Sequence, residues 1–202
     1  MRSPPFAAPW IVVAANLVGV TTGGCACGAP GRVTCPPGLS NLGKVDDGLW
    51  RSAQPTGVGF RSAGALRIRT VVDLRAGHSD APALAGTGIR SVSIPMHQCD
   101  VSEDDLVAFL TVATDPAMRP VLVHCAEGRD RTGVCVAAYR MAIEGWSLDD
   151  ARREMRSYGA MPWWVNLDRL LRRIDPVELR VRAIARRPAT PIRGEPIKGT
   201  VP

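Results

Sequence analysis

The sequence predicts an α/β fold, with a mainly parallel central sheet flanked by helices. Three observations carry this reading. From Val45 onward, short β-branched runs alternate with amphipathic stretches, the order that builds a parallel sheet covered on both faces. Residues 70–74 (Thr-Val-Val-Asp-Leu) and 120–124 (Pro-Val-Leu-Val-His) are short, mostly apolar runs, as fully buried strands are. The second of these runs through a short loop into a helical stretch, which places a phosphate-binding type of loop between a buried strand and a helix.

Taken in order, residues 48–51 open the domain as a short strand, and residues 57–66 form a weak helix with Phe60, Ala63 and Leu66 on one face. Residues 70–74 are a strand. After a stretch rich in Gly, Ala and Pro, residues 89–94 alternate as another. Ser102 is an N-cap, and Glu103, Asp104 and Asp105 lie in the first turn of a helix through Val112. The strand at 120–124 leads to a helix at 132–143 ended by Gly145. Ser147 caps the next helix, with Asp149 and Asp150 in its first turn. Pro162 starts the last helix, whose apolar side is Val165, Leu167, Leu170, Leu171 and Ile174.

The chain has 202 residues, 46% hydrophobic and 22% charged, which suits one globular catalytic domain and excludes wholesale disorder. The net charge is +6, but residues 180–202 carry most of it through Arg180, Arg182, Arg186, Arg187, Arg193 and Lys198. They read as a solvated, disordered basic tail, so no nucleic-acid partner is expected. The six cysteines, Cys25, Cys27, Cys35, Cys99, Cys125 and Cys135, form no Cys-x-x-Cys pair, and only three histidines accompany them. A structural zinc site is therefore not expected. Residues 10–20 are an apolar run of signal-peptide length ending near Thr22-Gly23-Gly24-Cys25. Residues 1–25 read as a signal peptide of lipoprotein type, with Cys25 the lipidated residue and the cell envelope the destination. Cleavage after Ala26 or Ala29 and retention in the cytoplasm are the alternatives. Residues 26–43 read as a linker and 44–179 as the domain.

The chemistry sits at His124-Cys125-Ala126-Glu127-Gly128-Arg129-Asp130-Arg131-Thr132-Gly133. A buried strand delivers Cys125 to a loop whose amides point inward as an anion nest, and the following helix adds its positive dipole end. Both favour the thiolate, which predicts a nucleophile at neutral pH. Gly128 permits the tight turn, and Arg131 offers a planar fork for two phosphoryl oxygens. Residues 126–131 thus form a cradle for a dianion above the sulfur, and in-line attack gives a cysteinyl-phosphate intermediate.

These residues resemble the active-site signature of the cysteine-dependent protein tyrosine phosphatase superfamily, in its bacterial dual-specificity-like branch. Residues 41–56, 70–75 and 158–168 resemble further segments of that group, so the likeness covers about residues 41–175. It implies that Cys125 is the nucleophile and Arg131 the phosphate-binding arginine. It also implies that His124 helps hold the thiolate and that Thr132 stabilises it. The substrate it implies is a phosphoprotein, carrying phosphotyrosine and also phosphoserine or phosphothreonine, or an inositol phosphate, and no cofactor is expected. A phosphate-binding pseudoenzyme or envelope interaction module, and a rhodanese-like sulfurtransferase, are the competing readings.

The resemblance places the general acid in the loop at 95–101, where Asp100 fits best. Asp130, inside the cysteine loop, is the second candidate, from the likeness of its Asp-Arg-Thr ending to myotubularin-type lipid phosphatases. Arg129 suits multiply charged substrates and Glu127 opposes it. Asp73, Arg75, Arg51 and Gln54 are read as scaffold first and active-site support second. Trp163 and Trp164 are read as core or groove, Cys135 as core, and Cys99 as an oxidation partner for Cys125.

Overall fold

The computed structural model describes residues 30–187. Five strands and seven helices follow one another as β1 (Gly43–Lys44), β2 (Leu49–Ser52), α1 (Gly57–Ala65), β3 (Thr70–Arg75), α2 (Ala81–Leu84), β4 (Arg90–Met96), α3 (Glu103–Ala113), β5 (Val121–His124), α4 (Asp130–Glu144), α5 (Leu148–Ser157), α6 (Val165–Arg173) and α7 (Pro176–Ala185). The sheet order is β1-β2-β5-β3-β4. Only the β1–β2 pair is antiparallel, so the α/β expectation holds. The parallel register aligns Ser52, Asp73 and His124 across three neighbouring strands. Three polar side chains are thereby gathered at the carboxyl edge of the sheet, where such folds place their ligands.

Alternation along the strands splits the core in two. Val72, Val121 and Val123 join Phe109, Leu110, Val134, Leu170 and Leu179 on one face. Val71 and Leu122 join Leu39, Leu42, Phe60, Ala63 and Ile68 on the other. Helix α4 is enclosed nearly all round, which explains its almost unbroken run of small and apolar residues. Its one interior cation, Arg140, is neutralised by Glu154 at 2.6 Å and Glu144 at 2.6 Å. Helix α3 begins with a capping box made by Ser102 and Asp105, and α4 ends at Gly145 with φ of 72°.

Four expectations need correction. Residues 30–43 are not a linker. Leu39 and Leu42 are buried, Lys44 N donates to Gly31 O at 2.8 Å, and Gly43 opens the sheet as its antiparallel edge. Residues 180–187 are not tail either. Residues 180–185 complete α7, with Arg186 as its C-cap; the helix starts at Pro176 under an Asp175 cap and buries Leu179 and Ala183. Arg182 pairs with Glu103 and Asp104 on α3. Pro162 starts no helix, because residues 162–164 turn toward the loop after β5 and α6 begins at Val165, which is 48% exposed. Nor is that helix the last. The expected signal segment and the tail beyond residue 187 lie outside the described residues.

If residues 30–43 belong to the fold, Leu42→Ala costs about 3 kcal/mol, as deletion of a fully buried leucine does. Urea unfolding measures this, and a linker leucine would cost nothing.

Candidate active site

Cys125 directly follows β5 and is 2% exposed. The loop after it is curled by bonds from outside. Gln54 N donates to Ala126 O at 3.0 Å, Asn41 Nδ2 to Glu127 O at 3.1 Å and Gly128 O at 3.3 Å, and Arg51 Nη2 to Gly128 O at 2.9 Å. With three successive carbonyls drawn outward, the planar peptides turn their N–H groups the other way. Among the described residues, none of the amides of residues 126–130 donates to the protein. Gly128 makes the turn possible, with φ of 69° and a position where a Cβ would lie 2.5 Å from Ser52 O. The result is a rim of free donors around a buried sulfur at the start of α4, the anion nest expected of this loop.

Arg131 and Thr132 reinforce it. Arg131 Nη1 is anchored on Met96 O at 3.2 Å, while its Nε is buried without a partner. The Thr132 hydroxyl is also buried without a partner. Unpaired buried donors cost about 1–3 kcal/mol each, and a bound oxyanion would satisfy the arginine. Cys125, Arg131 and the nest line a cavity of about 280 Å³, with Gln98, Met161 and Trp163 as walls. Trp163 is 66% exposed, so it is rim and not core.

Behind the loop lies a charged network that sequence reasoning only half found. His124 is fully buried, and its Nε2 lies 2.6 Å from Asp80 Oδ2. Asp80 also accepts from Gln54 Nε2 at 3.1 Å and Arg75 Nη2 at 3.0 Å, and Asp73 holds the same guanidinium at 2.9 Å. Burial alone would raise the Asp80 pKa. Its bond to His124, the charge of His124, the bond from Gln54 and the charge of Arg75 outweigh this and hold it below the usual carboxylate value. Asp73, Asp80 and His124 converge closely enough to ligate a cation, but Arg75 is bonded to both carboxylates and supplies the positive charge itself. Asp80 caps α2 without a side-chain cap bond, and Asp-Ala-Pro before a short helix was the available signal for that cap.

Arg51 proves more than scaffold. It is fully buried, lies 3.7 Å over the Tyr158 ring and has two unpartnered nitrogens. Burial pushes its pKa down to about 10, so it stays charged at neutral pH and adds positive potential under the nest. Tyr158 is fixed in turn by its hydroxyl, which donates to Pro30 O at 2.9 Å.

The two acid candidates are placed differently. Asp130 is 5% exposed, and its oxygens accept from Met161 N at 2.8 Å and Gln98 Nε2 at 3.2 Å. It ties the cysteine loop to both cavity walls. Asp100 is exposed, in the 97–102 loop that Gln98 attaches to this edge. Cys99 is exposed and Cys125 buried, both as free thiols, and Cys135 is enclosed with Sγ 3.9 Å from Met96 Sδ.

Breaking the network at Asp80 should cost about 3 kcal/mol at pH 7, the scale for an orphaned buried partner. Asp80 is held below its unfolded value, so its contribution is complete above about pH 4 and fades as pH falls through the folded value. Urea unfolding of wild type and Asp80→Asn at pH 7 and pH 3 should give a difference that narrows at pH 3.

Comparison with known proteins agrees with this geometry. Residues 40–162 match the family described as "DSP-PTPase phosphatase fused to NAD+ Kinase". Dual specificity protein phosphatase TpbA of Pseudomonas aeruginosa (strain UCBPP-PA14) is 32% identical over 120 residues, 59% of this chain and 55% of that protein. The chain thus spans about half the length of that relative. Inositol diphosphatase DSP3 of Arabidopsis thaliana is 26% identical over 160 residues, 74% of this chain and 76% of that protein. A crystal structure of a P. aeruginosa TpbA variant in complex with pTyr superposes with a TM-score of 0.66 at 27% identity, covering 79% of this chain and 98% of that one. The core catalytic domain of the PP-IP phosphatase SIW14 from S. cerevisiae shares the fold, with a TM-score of 0.65 at 23% identity, covering 75% and 94%. The chain belongs to the DSP-PTPase family, within the cysteine-based protein tyrosine phosphatase superfamily.

Proposed function

We propose that the protein is a phosphoric monoester hydrolase that works through a cysteinyl-phosphate intermediate and acts on phosphotyrosine, with phosphoserine and phosphothreonine as further substrates. The observation that carries this is the set of unpartnered donors, the loop amides and Arg131 Nε, arranged around one buried thiol. That arrangement suits a dianion held over a sulfur, and little else. The Cys125 sulfur attacks phosphorus in line. The P–S bond forms as the ester P–O bond breaks, and the electron pair departs on the leaving oxygen, which takes a proton from Asp100. Water then attacks phosphorus, the P–S bond breaks with its electrons returning to sulfur, and the Asp100 carboxylate takes the water proton. The Thr132 hydroxyl donates to the departing thiolate. Asp100 is the acid on two grounds: its loop is docked at the nest by Gln98, and both oxygens of Asp130 are engaged. Asp130 is a positioning residue.

A second reading, an inositol-phosphate phosphatase with the same machinery, is favoured by Arg129 at the cavity rim and by the likeness to DSP3. We also infer export, with Cys25 as a lipid anchor, from the apolar run at 10–20 and the Thr22-Gly23-Gly24-Cys25 sequence. Metabolic labelling with a fatty acid should mark wild type and not Cys25→Ala.

Hydrolysis of nitrophenyl phosphate should be abolished by Cys125→Ser and inhibited by vanadate. A wild-type protein that releases no nitrophenol would leave the pseudoenzyme reading. Asp100→Asn should slow phenyl phosphate, a poor leaving group, by on the order of 10²-fold or more in single turnover, and nitrophenyl phosphate far less. Asp130→Asn should slow both substrates alike. An Asp100→Asn enzyme with equal losses on the two would reject Asp100 as the acid.

A further inference from the structure

Beside the catalytic cavity lies a second one of about 540 Å³, which shares Ala126, Glu127 and Arg129 with it and adds Arg32 and Tyr158. Arg32 lies in the segment whose composition reads as linker. Its guanidinium stacks 4.8 Å over the Tyr158 ring, while Arg51 stacks on the same ring at 3.7 Å. Arg32 Nη2 donates to Asn41 Oδ1 at 3.0 Å and Ser157 O at 3.3 Å, and its Nε is buried without a partner. Among the described residues, no carboxylate pairs with Arg32 or Arg51. The Arg129 side chain packs against Gly159, where an added Cβ would lie 3.3 Å from Arg129 Cδ. Three guanidinium groups therefore surround Tyr158 and Gly159. The nearby counter-charge on the cavity lining is Glu127, which is exposed and 3.1 Å from Arg129.

That concentration of cationic groups is unfavourable until an anion neutralises it. Its place is beside the nest and not within it. A phosphate seated over Cys125 leaves it unfilled, and a single phosphotyrosine carries nothing to fill it. We infer that the Arg32–Arg129 cavity is a second anion subsite, taking another phosphate of the same substrate, and that it favours a compact polyol carrying two or more phosphates. The guanidinium forks of Arg32 and Arg129 can hold phosphate oxygens side-on, and the exposed Glu127 is the one carboxylate that competes for Arg129 among the described residues. The inference rests on the phosphatase reading for the phosphate over Cys125. A free polyol phosphate and a phosphoinositide headgroup present the same chemistry.

The test is calorimetric binding to the full chain in a Cys125→Ser background, which needs no turnover. Inositol hexakisphosphate, phosphotyrosine and vesicles containing phosphatidylinositol bisphosphate are compared. Arg32→Ala should weaken inositol hexakisphosphate, the vesicles or both at least tenfold more than it weakens phosphotyrosine. Arg32→Lys should recover most of that selectivity, and rising salt should erase it. The polyphosphate that shows the Arg32-dependent loss identifies the source, free polyol or lipid headgroup. Equal weakening of phosphotyrosine and the polyphosphates would make Arg32 a mere support of the loop through Asn41 and overturn the subsite. So would no change with any ligand. Failure of wild type to hydrolyse nitrophenyl phosphate while Arg32-dependent binding persists would reject the phosphatase reading and leave the subsite standing.

Discussion

The site depends on where the carbonyls of Ala126, Glu127 and Gly128 go. Inward-facing amides without partners are costly in a folded protein, and a free loop would relax by turning them toward water or toward its own backbone. Here the opposite ends of the same peptides are pinned by Gln54, Asn41 and Arg51. The electrophilic pocket is thus maintained by hydrogen bonds that never touch it. Preorganised donors of this kind need no reorientation when charge develops, which is why the support matters as much as the nest.

The supports come from far along the chain. Asn41 precedes the first strand, Arg51 lies in the second and Gln54 just after it, and Tyr158, which sits beneath Arg51, closes α5. The parallel sheet gathers them, because its register puts Ser52 and Asp73 level with His124. The buried pair of His124 and Asp80 then fixes the end of β5 from behind, and Arg75 shares its charge between two carboxylates. A buried carboxylate with a single partner gains little, but here Gln54 and Arg75 donate to Asp80 as well. The network defines one orientation for the strand that carries the sulfur.

Much of this was readable in the residues, and the exceptions share a cause. Strands and helices carried their periods openly, and Cys125 to Arg131 lie consecutively, so a local pattern sufficed. Asp80, Asn41 and Tyr158 act through contacts across the fold: the Asp-Ala-Pro run marks Asp80 only as a helix cap, and no local pattern shows what Asn41 and Tyr158 touch. The stretch at 30–43 was misjudged because its glycines and prolines look like spacer. Yet Gly43 is required by packing, since a Cβ there would meet the Tyr158 hydroxyl, and Leu39 and Leu42 enter the core. Helix α7 was hidden by its charge: counting arginines from residue 180 obscured the Leu179–Ala183 spacing and the Asp175-Pro176 start. The general acid was ambiguous for a different reason. Two aspartates have suitable positions, and the fold engages both oxygens of Asp130 while leaving Asp100 exposed.

The outward anchoring of the loop has a consequence for how such a protein diversifies. The bonds that hold it run to backbone carbonyls, while the side chains of Ala126 and Glu127 are exposed and Arg129 is half-exposed. Those three positions can change without disturbing the backbone that performs the chemistry. Gly128, wedged against Ser52, cannot. The loop thus separates a backbone cradle fixed by packing from outward-facing side-chain positions that are open to substitution.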